Sequence, residues 1–142
     1  MEQQAIQKIN EVIAQSRIGV LSTSYQDQPN SRYMIFYNDG LELYTKTSKQ
    51  SRKFEELKNN PKTHVLLGYE EQNNLPYVEI EGTIEMVTSQ EIIDELWQSQ
   101  DNTFFDSKED PDLVVLRIIP ETILLHDSKT QGAPVEIDVS NL

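Results

Sequence analysis

Tyr44-Thr45-Lys46-Thr47-Ser48-Lys49-Gln50-Ser51-Arg52-Lys53 is the stretch where a strand pattern gives way to a helix pattern, and it gathers positive charge and hydroxyl groups at the changeover. Between Lys46 and Lys62, six basic residues against two acids leave a local charge of +4, so the rest of the chain carries −16 of a total of −12. Phe54 and Leu57 stand three apart among good helix formers, Thr47 and Gln50 have the spacing of a capping box, and Asn59-Asn60-Pro61 is a stop signal. Ser51, Arg52 and Lys53 are therefore expected in the first turn of a helix. Free N–H groups and two cationic side chains would there favour a small anion such as a phosphate. The competing expectation is a solvated basic helix start, which is what most charge runs are.

Reading outward, the stretch follows a hairpin: Asn38-Asp39-Gly40 separates an aromatic-rich run, Asn30 to Tyr37, from Leu41 to Thr45. Further upstream, Ile18 to Ser24 reads as a strand with a turn at Tyr25 to Pro29. Before it, Ile6, Ile9, Val12 and Ile13 have the spacing of an amphipathic helix over Gln4 to Ser16. Downstream, Lys62 to Tyr69 reads as a largely buried strand around Val65-Leu66-Leu67, followed by a polar turn over 70–74. Val78, Ile80, Gly82, Ile84 and Met86 then alternate with polar residues, and Gly82 in that run signals a bulge or a close backbone approach. Ser89 opens a third helix through Trp97, Gln98 to Asp112 is an acidic surface connection, and Pro120 splits Asp112 to Ile119 from Ile123 to Asp127. The result is a mainly β (α+β) chain of six to seven antiparallel strands with three small helices. Without a βαβ rhythm, it reads as a small barrel. One domain over 1–142 is expected, with a polar tail over 128–142 that holds one alternating patch, Val135 to Val139.

Composition narrows the function. A net charge of −12 disfavours nucleic acid and anionic membrane surfaces, and no apolar run approaches the ~20 residues of a span. The absence of cysteine excludes a disulfide framework and a thiolate metal site, and no His/carboxylate spacing suits another metal. Asp101, Asp106, Asp110 and Asp112 lack the glycine and terminal glutamate of a calcium loop. There is no Gly-x-Ser-x-Gly elbow, and His64 and His126, far apart in sequence, are read as structural. The expected compartment is the cytoplasm.

The order and spacing of Ile18 to Thr23, Asn30-Ser31-Arg32-Tyr33-Met34, Tyr44-Thr45 with Ser51-Arg52-Lys53, Asn59-Asn60-Pro61, Val78 to Gly82 and Asp110 to Arg117 resemble the pyridoxamine 5′-phosphate oxidase-like FMN-binding split-barrel family. Within it, the likeness is to the short general stress protein subfamily, and it runs from about Ile6 to Asp127. The resemblance implies FMN as cofactor, with Arg32, Tyr44, Thr45, Arg52 and Lys53, and Ser51 beside them, around the phosphate and ribityl chain. The strand that begins at Arg32, with Tyr33 and Met34, would border the isoalloxazine ring. A homodimer with sites at the interface is also implied, and the apolar excess of Met34-Ile35-Phe36-Tyr37 agrees with it.

Departures limit the analogy. A lysine near the ring in the oxidase corresponds to Tyr37, a glutamine that reaches the flavin corresponds to Tyr77, and the oxidase's C-terminal extension with its substrate-binding arginine and histidine is missing. Pyridoxamine 5′-phosphate is therefore not the expected substrate. Two extra residues between Thr45 and Ser51 leave Ser48 and Lys49 as alternative phosphate ligands. Trp97, Phe104 and Phe105 are either core anchors or an apolar wall against the ring. Three readings follow: a flavin-dependent oxidoreductase of unknown substrate, a non-catalytic flavin-binding stress or sensor protein, or a related ligand such as haem or a deazaflavin on the same fold.

Overall fold

The computed structural model describes residues 2–70, 75–127 and 133–142. Most of the expected 70–74 turn and the start of the tail lie outside the described residues. In chain order the elements are α1 (Glu2–Gln15), β1 (Ile18–Tyr25), β2 (Gln28–Ile35), β3 (Tyr37–Asp39), β4 (Glu42–Ser48), α2 (Arg52–Asn59), β5 (Lys62–Glu70), β6 (Leu75–Val87), α3 (Gln90–Leu96), a 3₁₀ turn (Ser99–Thr103), β7 (Leu113–His126) and β8 (Val135–Asp138). The strands form one antiparallel sheet in the order β2-β1-β5-β6-β7-β4-β3, with β8 added to the end of β7. The alternating patch of the tail is thus a strand, and it brings the strands among the described residues to one more than expected.

The two ends of that order are consecutive in the chain. β2 and β3 are one long strand broken at Phe36, whose first part pairs with β1 and whose second part pairs with β4. The single strand expected over Asn30 to Tyr37 breaks there because Phe36 is buried and its N–H donates to Arg17 O at 2.7 Å. The curled sheet is closed by this shared strand, and beyond it β2 and β4 run on without ladder hydrogen bonds. One side-chain bond crosses between them, Thr45 Oγ1 donating to Ile35 O at 2.7 Å. This is the split of a split barrel.

The inner faces follow the period of two. Leu21, Leu43, Val65, Leu67, Val78, Ile80, Leu116, Ile118, Ile123 and Leu125 fill the barrel, and Ile9, Val12 and Ile13 of α1 pack on the same core. A second apolar cluster, Val87, Ile93, Phe105, Leu113 and Val115, seats α3 and the segment after it on the outer side of β7.

Three sequence expectations are corrected. Pro120 does not divide two strands: β7 runs through it, and the register shifts opposite, between Glu81 and Gly82, where a bulge absorbs the missing N–H donor. A Cβ on Gly82 would collide with Ile119 O, so the close approach expected there is real. The turn after β1 is only Gln26-Asp27, both at positive φ (50° and 65°), the geometry of a two-residue hairpin, so β2 begins as early as Gln28. Leu66, expected in a largely buried strand, points out of the barrel, since the inner face of β5 is that of Thr63, Val65 and Leu67.

Candidate functional site

α2 begins four residues after β4 and crosses the open part of the split. Its N-cap is Ser51, not Thr47: β4 extends to Ser48, which keeps Thr47 in the ladder opposite Val114. Ser51 Oγ accepts from Phe54 N at 3.3 Å and donates to Ser48 O at 2.7 Å, so the hydroxyl is committed to the cap. Among the described residues, the backbone N–H groups of Arg52 and Lys53 have no hydrogen-bond acceptor at this helix start, as is usual for a first turn.

The basic residues of the opening stretch divide into two kinds. Lys46 is not part of the exposed cluster: its side chain is 6 % exposed, bonded to the Asp101 carboxylate and Leu96 O, and lies 4.6 Å from the centre of the Tyr37 ring. Asp101, expected on an acidic surface loop, is buried by the same pair. Arg52 is 73 % exposed and reaches only Glu56, at 3.8 Å. Ser48 Oγ accepts from Gln50 N, and Lys49 N donates to Asp112 O, so both residues help to shape the loop.

Lys53 differs from all of these. It is half-buried, has no carboxylate within ion-pair distance among the described residues, and its ammonium is held below the usual lysine range, first by burial and then by the charge of Arg32 beside it. A neighbouring carboxylate would have had the opposite effect. Arg32 itself arrives from β2 on the opposite lip of the split. Its Nη1 donates to Thr23 Oγ1 (2.8 Å) and, at longer range, to Leu21 O and Asn30 O, while Nη2 donates to Glu56 Oε1 (3.4 Å). Burial would raise the Glu56 carboxyl, but hydrogen bonds from Thr23 and Asn30 and the charges of Arg52 and Arg32 together hold it below the usual carboxylate range. Two like charges, Arg32 and Lys53, are thus kept close at a helix N-terminus, an arrangement that a small dianion stabilises.

The remaining candidates are spread along the split and the outer face of the sheet. A cleft of about 240 Å³ follows the split, lined by Ile18, Tyr33, Met34, Ile35, Tyr37 and Thr45 among others. A second, of about 420 Å³, shares Ile18 and Tyr33 with it and reaches Leu66, Tyr69 and Tyr77. Tyr77 is thus linked to Tyr33 and Met34 through adjoining clefts, but stands apart from the basic lip. Tyr44 is not brought to either cleft: it faces outward from β4 and packs with Trp97 on the second apolar cluster. Phe105 is buried in that cluster and Trp97 is partly buried against it, which makes both anchors; Phe104 is exposed. A third cleft, about 460 Å³ and larger than these two, lies between α1 and the Gly68-Tyr69 end of β5, away from the basic lip.

His64 and His126, separated by 62 positions in the chain, meet on the outer face, where Glu79 accepts from Nε2 of His64 (3.0 Å) and of His126 (2.5 Å). The bond from His126, more than that from His64, outweighs burial and holds the Glu79 carboxyl below its usual range. The Tyr77 ring stacks on His126 at 4.4 Å. Sequence reading missed this cluster and Glu56; strand register alone, Tyr77 opposite His126 and Leu66 opposite Glu79, would have been needed to find the first. Among the described residues no group of His, Asp or Glu side chains could hold a metal ion, and no helix is long and apolar enough to cross a membrane.

The sequence pattern described as pyridoxamine 5′-phosphate oxidase matches residues 5–127. The chain belongs to that family. Within the pyridoxamine 5′-phosphate oxidase family it is 43% identical to General stress protein 26 of Bacillus subtilis (strain 168), over 98% of this chain and 100% of the relative. The crystal structure of General Stress Protein 26 from Bacillus anthracis str. Sterne superposes with a TM-score of 0.83 at 32% identity, covering 94% of this chain and 97% of that one. A heme binding protein from Mycobacterium smegmatis shares the fold alone: TM-score 0.76, 12% identity, 96% of this chain and 58% of that one.

Proposed function

We propose that this chain is an FMN-binding flavoprotein and that, with the flavin bound, it acts as an oxidoreductase on a small substrate. The observation that carries the reading is Lys53, a half-buried cation without an acidic partner among the described residues, set beside Arg32 at the start of α2. Lys53, Arg32 and the N–H groups of the first turn would hold the phosphate. Tyr33, Met34 and Thr45, which line the cleft along the split, would border the rest of the cofactor. The flavin supplies the redox chemistry; the residues supply binding and orientation, and no catalytic side chain is required.

The reading includes a two-fold homodimer with two equivalent sites. The 240 Å³ cleft is below the roughly 300–1,000 Å³ usual for ligand sites, and the sheet face around it leaves Tyr33 79 % and Ile18 63 % exposed, with Ile35, Leu66 and Tyr69 nearby. A second copy of this face would supply the missing wall. Light scattering of the FMN-loaded protein at micromolar concentration tests this, and a monomer would refute it.

The flavin reading is tested by adding FMN to purified protein and recording its spectrum and fluorescence. Uptake of FMN, bleaching by NADH or NADPH without oxygen and return of colour in air are the expected results. Failure to take up FMN would sink the reading. Colour retained in the presence of both reductants would instead favour a flavin-binding stress or sensor protein.

A further inference from the structure

The basic lip of the split contains an acid that an anion site does not need. Glu56, one turn into α2, has a side chain only 5 % exposed. It accepts from Thr23 Oγ1 (2.9 Å), from Asn30 Nδ2 (2.6 Å) and from Arg32 Nη2, and it faces Arg52 Nε. A carboxylate near a phosphate repels it, so charge counting alone says that an anion would bind better without Glu56. Its partners indicate another role. Arg32 reaches α2 from the far lip of the split, and its Nη1 meets only neutral oxygens of β1 and β2. Among the described residues, Glu56 is the one group of α2 that bonds it.

We propose that Glu56 is the positioning residue of the phosphate site: it fastens the Arg32 guanidinium to α2 beside Lys53, so that cations from two separate elements face one anion together. This rests on the FMN reading above. Arg32 and Lys53 repel each other, and a long arginine side chain on an edge strand has many other rotamers; the buried carboxylate offsets both tendencies before any ligand arrives. Thr23 completes the clamp, because its hydroxyl donates to Glu56 and accepts from Arg32. The charge count suits the same ligand: Arg32, Arg52 and Lys53 against Glu56 leave +2, opposite to the −1.5 to −2 of a phosphate monoester.

Glu56→Gln in the full-length chain separates positioning from charge. Gln retains one acceptor oxygen, and Asn30 can turn its amide to present oxygen to the new NH₂ group. Dissociation constants for FMN and for riboflavin, which lacks the phosphate, are read by flavin fluorescence, with circular dichroism as the control for folding. The expected result is FMN binding weakened by about tenfold or more, with riboflavin unchanged. Unchanged or tighter FMN binding would overturn the proposal, and so would equal losses for both ligands, which would make Glu56 a purely structural residue. Thr23→Val retains the carboxylate but removes the shared hydroxyl; it should weaken FMN several-fold and spare riboflavin. If Glu56→Gln does not fold, Thr23→Val decides alone, and FMN affinity equal to that of the parent overturns the proposal. A parent protein that binds riboflavin as tightly as FMN would overturn the phosphate reading itself, a result distinct from a failure of Glu56→Gln alone.

Discussion

Arg52 and Lys53 are adjacent in sequence and equivalent in charge, yet the structure predicts different consequences for their removal. Lys53→Met preserves the aliphatic stem and removes the ammonium that is half-buried beside Arg32. A charge-assisted hydrogen bond is worth roughly 1.5–3 kcal/mol, so FMN affinity should fall by about 10- to 150-fold. Arg52 is 73 % exposed, and its one charged neighbour is Glu56 at 3.8 Å. An exposed, screened charge contributes about 0–1 kcal/mol, so Arg52→Ala should cost less than about fivefold. Titration of each variant with FMN and riboflavin by fluorescence, at low and at moderate salt, measures both. The loss in Lys53→Met should be confined to FMN, and the smaller Arg52 effect should shrink further with salt. Refutation would be an Arg52→Ala loss equal to or larger than that of Lys53→Met, or a Lys53→Met loss that extends to riboflavin.

The depressed Lys53 ammonium gives a pH prediction. Between its lowered folded value and the ordinary value near 10.4, the unfolded chain binds more protons, so the ligand-free parent gains stability with rising pH relative to Lys53→Met, while its FMN affinity falls over the same window; thermal melts and titrations from roughly pH 8 to 11 check both signs. Glu56, depressed in the fold, stabilises above the ordinary carboxylate value and loses that contribution as pH falls through its folded value, so Glu56→Gln should lower stability at neutral pH and by progressively less in acid melts below about pH 4. Gly82→Ala should cost about 1–3 kcal/mol, read as a lower urea midpoint, because the added methyl meets Ile119 O in the bulge opposite Pro120. Phe105→Ala should cost about 3–5 kcal/mol, whereas Phe104→Ala, at an exposed ring, should stay within about 0.5 kcal/mol in the same denaturation assay.

The strand pattern of this chain was legible wherever one face is buried and the other is wet. Residues 78–86 alternate cleanly because β6 has its inner face on the barrel core and its outer glutamates toward solvent. Reading failed where that condition fails. β7 is buried on both sides over Leu113 to Leu116, so its apolar run carries no period, and Pro120 looks like a boundary because the extra residue that accommodates it, Glu121, is recognisable only from the pairing with β6, which is remote in sequence. The break at Phe36 was invisible for a related reason. An aromatic-rich run gives no hint that its first half will pair with β1 and its second with β4, a choice made by sheet closure.

Side-chain alliances were less legible than the elements that carry them, and the charge cluster shows why. Six basic residues look alike in sequence, but period-two geometry on β4 turns Lys46 outward under the 3₁₀ turn, where Asp101 neutralises it, while the helical period on α2 sends Arg52 to solvent and Lys53 toward the split. The same helical geometry buries Glu56, which an inventory of the stretch counts simply as charge lost from the cluster. A cluster that was only a solvated helix start would expose its cations and pair them locally, as Lys58 does with Glu55 at 3.1 Å. Here the partner of the buried acid is an arginine 24 residues away on the opposite lip of the split, and Lys53 of α2, whose ammonium feels the charge of that arginine, has no acid of its own among the described residues. A helix start serving stability alone would gain nothing from holding those two cations together; one that closes on a small dianion requires it.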